Sequence, residues 1–334
     1  MLEETGRGAA AELPIEGELP DLAGATEWLN SEPLTPAGLR GKVVLVQFCT
    51  YSCVNWLRTL PYVRAWDERY RDDGLVVIGA HSPEFRFEHD VERVRPALRA
   101  MGVGYPIAID NDFAVWRAFG NRYWPALYVA DAQGRLRDHH FGEGRYEGSE
   151  RVLQQLLAEA GSVGVDQEPV SVEPSGVEAS ADLDTLGSPE TYVGYDRAEN
   201  LVAPAGVRPG GPREYSESPP LELNQWSLSG NWTVGRQATV LNQAGGRIAF
   251  RFHARDLNLV LGPSASGAPV RFRVLIDGAA PGPAHGVDVD DEGNGTVAEA
   301  RLYQLIRQPG SVSDRTFEIT FLDSGVQAYV FTFG

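Results

Sequence analysis

The sequence predicts an α/β unit, a mixed sheet with helices on both faces, followed by an all-β jelly-roll sandwich. The run Val43 to Phe48 is apolar and β-branched, typical of a buried strand, and apolar residues then recur at helical spacing from Val54 to Val63. Predicted strands and helices alternate up to about residue 160, the pattern of an open sheet covered by helices. From residue 221, short alternating strands separated by glycine-rich turns indicate a sandwich.

The composition excludes several classes of protein. The 334 residues carry a formal net charge of −17, which argues against nucleic acid and anionic membrane as partners. Two cysteines are too few for a disulfide framework, and alone they do not complete a four-ligand zinc site. No apolar stretch is long enough for a membrane span, and the acidic start Met1-Leu-Glu-Glu does not resemble a signal peptide. We expect a cytoplasmic protein, or an extracytoplasmic one if a leader was removed.

The α/β unit is expected over residues 30–161, after an N-terminal segment of residues 1–29. Strand-like fragments around residues 19–36, interrupted by proline and glycine, indicate a hairpin. Hydrophobic periodicity then predicts, in order, strand 43–48, helix 53–70, strand 75–80, helix 88–101, strand 106–109, helix 112–119, strands 126–130 and 136–141, and helix 148–160.

The remainder of the chain divides at about residue 220. Residues 162–219 are acidic and interrupted by proline, which indicates a linker with short docked segments. The sandwich is expected over residues 220–334, with strands 227–234, 238–241, 247–253, 257–261, 270–276, 316–321 and 327–333. The segment Arg301-Leu-Tyr-Gln-Leu-Ile-Arg fits a strand or a helix equally well.

Both cysteines, Cys49 and Cys53, lie where the strand 43–48 passes into the following helix. A cysteine at a helix N-terminus faces unpaired backbone N–H groups and the positive end of the helix dipole, both of which favour the thiolate. We therefore expect Cys53 to be the reactive residue.

Two stretches of the first unit resemble a known family. The segment from Gly41 to Pro61 and the tripeptide Tyr123-Trp124-Pro125 resemble the thioredoxin-like domain of the TlpA and DipZ type, within the redoxin superfamily. The tail, from Ser188 to Gly334, resembles the C-terminal region of DipZ-type proteins, which is similar to carbohydrate-binding modules. The resemblance implies a thioredoxin-like fold, a cis bond before Pro125 and thiol-disulfide exchange with Cys53 as nucleophile.

The chain departs from this family at the second cysteine. Trp56 occupies the position of the resolving cysteine of C-x-x-C, and Cys49 occupies the position of a family tryptophan. Cys49 is then either an unusual resolving partner for Cys53 or a small residue that fills the core.

Three other activities compete with thiol-disulfide exchange. Thr50-x-x-Cys53 is similar to the T-x-x-C core of peroxiredoxins, with Arg122 or Arg117 as the arginine of a one-cysteine peroxidase. Cys49 and Cys53 with His140, or with its neighbour His139, would form a copper site like that of Sco-type thioredoxin folds. The third alternative is a redox-inactive thioredoxin domain that supports a binding module.

Further residues are expected to line the site. His81 and Glu84 follow the strand 75–80 at the sheet edge where ligands bind, and His81 would lower the Cys53 pKa or transfer a proton, unless it is an ordinary hydrogen-bonded loop histidine. The remaining lining residues are Tyr51, Trp56, Trp124, Pro125, Arg122 and His140.

Two weak binding signals occur in the sandwich. Asp288, Asp290, Glu292 and Asn294 partly match the spacing of a calcium loop, although turn chemistry also explains them. Trp226 and Trp232 would form a sugar-stacking platform, although tryptophans of a sandwich more often fill its core. We expect no cofactor, a disulfide or peroxide substrate, a thiol reductant, and a glycan or protein ligand for the sandwich.

Overall fold

The computed structural model describes residues 12–204, 206–216 and 219–334. The chain forms two compact units, Met1–Glu173 and Pro174–Gly334. Residues 1–11 of the predicted N-terminal segment lie outside the described residues. Within the described part of the chain, no helix is both long enough and apolar enough to cross a membrane.

The first unit is a seven-stranded sheet with four helices among the described residues. Its elements, in chain order, are β1 (Gly17–Glu18), β2 (Glu27–Leu29), β3 (Val43–Cys49), α1 (Val54–Tyr70), β4 (Leu75–His81), α2 (Val91–Ala100), β5 (Ile107–Ile109), α3 (Ala114–Ala118), β6 (Ala126–Ala130), β7 (Arg135–Phe141) and α4 (Tyr146–Glu159). The strand order is β1-β7-β6-β3-β4-β5-β2, with β3, β4 and β5 parallel and the others antiparallel to their neighbours. This confirms the predicted mixed sheet.

Two local predictions in this unit are wrong. The expected N-terminal hairpin does not form, because β1 pairs with β7 and β2 pairs with β5 at opposite edges of the sheet. The helix predicted from Asp112 begins at Ala114, and the Asp110 carboxylate accepts from the N–H groups of Val115 and Trp116 at 2.9 and 2.8 Å. In the first place pairing between segments distant in sequence replaces the local hairpin, and in the second Asp110 rather than Asp112 accepts from the N–H groups at the helix start.

Strand β3 is central and buried along its whole length, and it fixes the position of both cysteines. Cys49 is its last residue and lies opposite His81, the last residue of β4, in the parallel register. Alternate side chains of a strand face opposite sides of the sheet, so Cys49 shares a face with Gln47. The Gln47 amide donates to Thr59 of α1 at 2.6 Å, so this face lies beneath the helix that begins after Cys53.

The second unit is a β-sandwich. Its strands are β8 (Thr191–Tyr192), β9 (Leu201–Val202), β10 (Pro212–Tyr215), β11 (Trp226–Val234), β12 (Thr239–Leu241), β13 (Arg247–Phe252), β14 (Asp256–Gly262), β15 (Val270–Ile276), β16 (Asn294–Val297), β17 (Arg301–Arg307), β18 (Arg315–Phe321) and β19 (Gln327–Phe333). Strand β11 joins the two sheets, because its first half pairs with β13 and its last residues pair with β12. The ambiguous segment 301–307 is a strand that pairs with β14. Strands β8, β9 and β10, within the predicted linker, also pair with this unit.

The two tryptophans expected as a sugar platform belong to the sandwich core. Trp226 and Trp232 are 0% exposed and lie in one cluster with Leu228, Phe250 and Phe321. The indole N–H of Trp226 donates to the Glu199 carbonyl at 2.8 Å. A buried ring cannot stack on a sugar, so the carbohydrate role proposed for these two residues is wrong.

The predicted calcium ligands are engaged with other groups. The Asp288 carboxylate accepts from the Arg301 guanidinium at 2.7 Å and from the backbone N–H of Gln304 at 2.8 Å. Asp290 accepts from the backbone and side chain of Asn294, and the Asn294 amide also lies 3.4 Å from the Glu292 carboxylate. Turn hydrogen bonding and one ion pair therefore explain this cluster, the alternative to calcium given above, and within the described ranges no three acidic, histidine or cysteine side chains are placed to hold a metal ion.

Candidate functional site

The candidate site is the turn between the two cysteines, where β3 passes into α1. The Cys53 N–H donates to the Thr50 carbonyl at 3.1 Å, and the Leu57 N–H donates to the Cys53 carbonyl at 3.0 Å. Cys53 is therefore the N-cap residue of α1, with an extended backbone and no hydrogen bond from its side chain to the helix N–H groups. Cys53 therefore lies at the positive end of the helix, the position that the sequence predicts for it.

The Cys53 thiol is half-buried and faces the loop that contains Pro125. Its Sγ lies 3.9 Å from the carbonyl oxygen of Trp124, and the Trp124–Pro125 bond is cis, which confirms the predicted isomer. The indole N–H of Trp124 donates to the Ser82 carbonyl at 3.0 Å, and its ring packs on Trp116 with centroids 4.4 Å apart. These contacts hold the proline loop beside the thiol.

Cys49 occupies a different environment. It is 0% exposed, and its Sγ lies close to Gly79 of β4, 3.7 Å from where a Cβ at that glycine would stand. Burial raises the pKa of the Cys49 thiol far above its usual range, and the nearby carboxylate of Glu88 and thiol of Cys53 raise it further. Neither cysteine forms a disulfide in the structure. Since the thiolate is the nucleophile, Cys49 is a poor one at neutral pH.

His81 and Tyr51 are buried together behind the turn. Their rings stack with centroids 6.0 Å apart, and neither ring nitrogen of His81 has a hydrogen-bond partner within the described structure. Burial lowers the pKa of His81 to about 4. The imidazole is therefore neutral at pH 7, and the prediction that its charge would lower the Cys53 pKa is wrong.

Sequence reasoning selected Glu84 and missed Glu88. Glu84 is half-buried, whereas the Glu88 carboxylate is 0% exposed. One Glu88 oxygen accepts from the Ser52 hydroxyl at 2.6 Å and from the Ser52 N–H at 3.3 Å, and the other accepts from the N–H groups of Glu84 and Phe85 at 2.7 and 2.8 Å. The available signal is the position of Glu88 three residues after Phe85, the N-cap residue of the helical turn Arg86–His89. A glutamate at that position can accept a hydrogen bond from the N-cap N–H.

The residues expected for a peroxidase do not form a common site with the thiol. Thr50 is buried, and its hydroxyl lies near Glu88 but outside hydrogen-bond geometry. Arg122 is exposed, and Arg117 donates to the Asp112 carbonyl at 2.8 Å. Trp56, at the position of a resolving cysteine, is completely buried on the inner side of α1.

The structure does not gather the predicted copper ligands. The His140 Nε2 atom lies 3.2 Å from the Glu143 carbonyl oxygen, and the His139 Nδ1 atom lies 2.8 Å from the Glu16 carboxylate. Among the residues that the structure describes, no three histidine, cysteine, aspartate or glutamate side chains are placed to hold one metal ion. The copper prediction is therefore wrong.

Comparisons with known proteins identify relatives of the first unit and of the sandwich. Over 147 residues the chain is 30% identical to the thiol-disulfide oxidoreductase YkuV of Bacillus subtilis, a match that covers 44% of this chain and 99% of YkuV. The chain belongs to the thioredoxin-like family. The family described as "Thioredoxin like C-terminal domain" matches residues 188–334, which correspond to the sandwich and the strands docked on it.

A second relative matches a longer stretch, which extends into the sandwich. The DipZ protein of Mycobacterium bovis is 37% identical over 265 residues, which cover 78% of this chain. The present chain spans only 37% of the length of DipZ. Among solved structures, the solution structure of a thioredoxin-like protein in its oxidised form is 32% identical, with a TM-score of 0.40, and the match covers 43% of this chain and 96% of that one.

Proposed function

We propose that this chain catalyses thiol-disulfide exchange with Cys53 as its nucleophile. The observation that carries the proposal is the position of the half-buried residue Cys53, which lies at the start of α1 with its thiol facing the Trp124 carbonyl beside the cis-proline. The helix N-terminus favours the thiolate, and the thiolate is the species that attacks a disulfide. The name of YkuV, a thiol-disulfide oxidoreductase, supports the same reaction.

The proposed cycle uses one protein thiol. The Cys53 thiolate attacks one sulfur of a substrate disulfide, a mixed disulfide forms on Cys53, and the second substrate sulfur leaves as a thiolate. An external thiolate then attacks the mixed disulfide, regenerates the Cys53 thiolate and carries the substrate sulfur away in a new disulfide. Two bonds form and two break, so the cycle needs no other oxidant or reductant.

In this proposal Cys49 does not resolve the mixed disulfide. The Cys49 thiol is fully buried, and its raised pKa keeps it protonated. An external thiolate would therefore attack the mixed disulfide on Cys53 faster than Cys49 does. The substrate disulfide and the external thiol are the two partners that the cycle requires, and their identities and the compartment remain predictions.

The test compares a disulfide with a peroxide as the oxidant of the reduced protein. We expect a peptide that carries a mixed disulfide with glutathione to react with Cys53 faster than hydrogen peroxide does, with release of glutathione. A faster reaction with peroxide that leaves a sulfenic acid on Cys53 would favour the one-cysteine peroxidase. A Cys53 that reacts with neither would favour the redox-inactive binding protein.

A further inference from the structure

The buried carboxylate of Glu88 joins two segments that are distant in sequence. Its two oxygens accept four hydrogen bonds, two from Ser52 and two from the N–H groups of Glu84 and Phe85. A carboxylate removed from water is stable only when donors of this kind surround it. Ser52 immediately precedes Cys53, so Glu88 is hydrogen-bonded to the residue next to the proposed nucleophile.

The segment that contains Glu88 also contacts the turn through aromatic rings. Phe87 packs edge-on against Tyr51 with centroids 5.8 Å apart, and Phe85 stacks on Phe87 at 5.7 Å. At the other end of the segment, the Ser82 carbonyl accepts from the indole of Trp124. Residues 82–88 therefore contact both the cysteine turn and the proline loop.

Local capping does not explain all four hydrogen bonds. The bonds from Glu84 and Phe85 lie within the turn to which Glu88 belongs, and they would form without the cysteine turn. The bonds from Ser52 cross 36 residues of sequence and include the short one, at 2.6 Å from the hydroxyl. They fix both the backbone and the side chain of the residue that precedes Cys53.

We propose that Glu88 is a positioning residue, which acts through Ser52 to hold the Cys53 thiol in line with a disulfide bound beside the Trp124 carbonyl. This inference rests on the proposed function and assigns Glu88 a role in the same reaction. Attack on a disulfide requires the three sulfurs to align, and a displacement of about 1 Å can cost about 10²-fold in rate. Alkylation by a small reagent in solvent has no such requirement on this loop.

Glu88→Gln tests the proposal with little change in size. The glutamine amide keeps one acceptor oxygen but places an NH2 group opposite either the Ser52 donors or the two backbone N–H donors of residues 84 and 85. One of these two segments therefore has to move. We expect the rate of exchange with a glutathionylated peptide to fall by about tenfold or more per folded molecule. The rate of Cys53 alkylation by iodoacetamide should not fall. Ser52→Ala, which keeps the backbone donor, should show a smaller loss of exchange.

Glu150→Gln is the matched control. Glu150 is also a buried carboxylate, 1% exposed, and it accepts from the Tyr70 hydroxyl at 2.6 Å and from the Val170 N–H at 2.9 Å. Tyr70 ends the 17-residue helix α1, so this network lies about 25 Å from Cys53 along the helix. Glu150→Gln should lower stability but leave the exchange rate of the folded protein unchanged.

A second measurement does not depend on activity. In hydrogen–deuterium exchange, the peptide that covers residues 49–56 should lose protection in Glu88→Gln and keep it in Glu150→Gln. If the wild-type protein lacks exchange activity, the proposed function fails, and the deuterium measurement still decides whether Glu88 holds the turn.

Three results would overturn the inference. Glu88→Gln could exchange disulfides as fast as Glu150→Gln, its turn could keep wild-type protection, or its alkylation could slow in parallel with exchange. The last result would mean that Glu88 acts on the ionisation of the thiol rather than on its position.

Discussion

The two ends of the Thr50–Ser52 turn give their cysteines opposite environments. Cys49 ends a buried strand beside His81, and both residues are 0% exposed. Cys53 precedes a helix, is only partly buried and faces a backbone carbonyl. The two cysteines have the spacing of C-x-x-x-C redox and copper motifs. Because Cys49 is buried and Cys53 is not fully buried, the two thiols differ in reactivity. A short spacing between cysteines is therefore weak evidence for a pair that works together.

The largest expected effect is at the exposed end of the turn. Cys53→Ser removes the proposed nucleophile, the thiol of the less buried of the two cysteines. We expect exchange to fall by about 10³-fold or more, since a hydroxyl is almost never ionised at neutral pH. The measurement is the release of glutathione from a glutathionylated peptide. Residual activity within about tenfold of wild type would mean that Cys49 attacks substrates.

Substitution of Trp56 tests whether its side chain stabilises the fold by packing beneath the start of α1. Its ring is completely buried where a resolving cysteine stands in C-x-x-C proteins. Trp56→Ala should lower the free energy of unfolding by about 3–5 kcal/mol, because it leaves a large cavity. Urea unfolding gives this value, and alkylation of Cys53 in the folded protein serves as the control. A loss below about 1 kcal/mol would contradict the packing role of this side chain.

The stability of the protein should depend on pH through His81, which is buried beside Cys49. Its pKa is lowered from 6.5 to about 4 in the folded protein, so the unfolded chain binds the proton more tightly. The free energy of unfolding should therefore decrease as the pH falls from about 6.5 to about 4, by up to about 3 kcal/mol from this residue. His81→Phe keeps an aromatic ring and removes the titration, so its stability should depend less on pH in urea unfolding. Equal pH dependence in both proteins would contradict a buried, neutral histidine.

The smallest effect is expected for Cys49. Cys49→Ala removes a buried, protonated thiol, so exchange should remain within about twofold of wild type while stability falls by about 1 kcal/mol. Alanine is preferred to serine because serine would bury a hydroxyl. Loss of turnover after formation of the mixed disulfide on Cys53 would assign a resolving role to Cys49.

The strand-turn-helix arrangement could be predicted from local sequence, whereas the electrostatics of the site could not. The run Val43 to Phe48 and the helical period after it place Cys53 at a helix start without any tertiary information. The burial of Cys49 and His81 depends on residues such as Gly79 and Tyr51, which only the folded sheet brings near. Glu88 was missed for the same reason, since its partner Ser52 is 36 residues away.

The sandwich shows the same limit of local pattern. Alternating apolar residues predict its strands, and β17 is ambiguous only because a short apolar run fits both periods. The position of Trp226 and Trp232 inside the core, rather than on the surface, follows from how the two sheets face each other. The local pattern of a single sequence does not show which face of a strand the second sheet covers.

The most direct test of the account is the mass of the wild-type protein after reaction with excess glutathione disulfide. We predict an adduct of one glutathione, located on Cys53 by peptide mapping, with Cys49 still free for alkylation after unfolding. Loss of two hydrogen atoms without an adduct would show a disulfide between Cys49 and Cys53, and it would contradict the single-thiol mechanism.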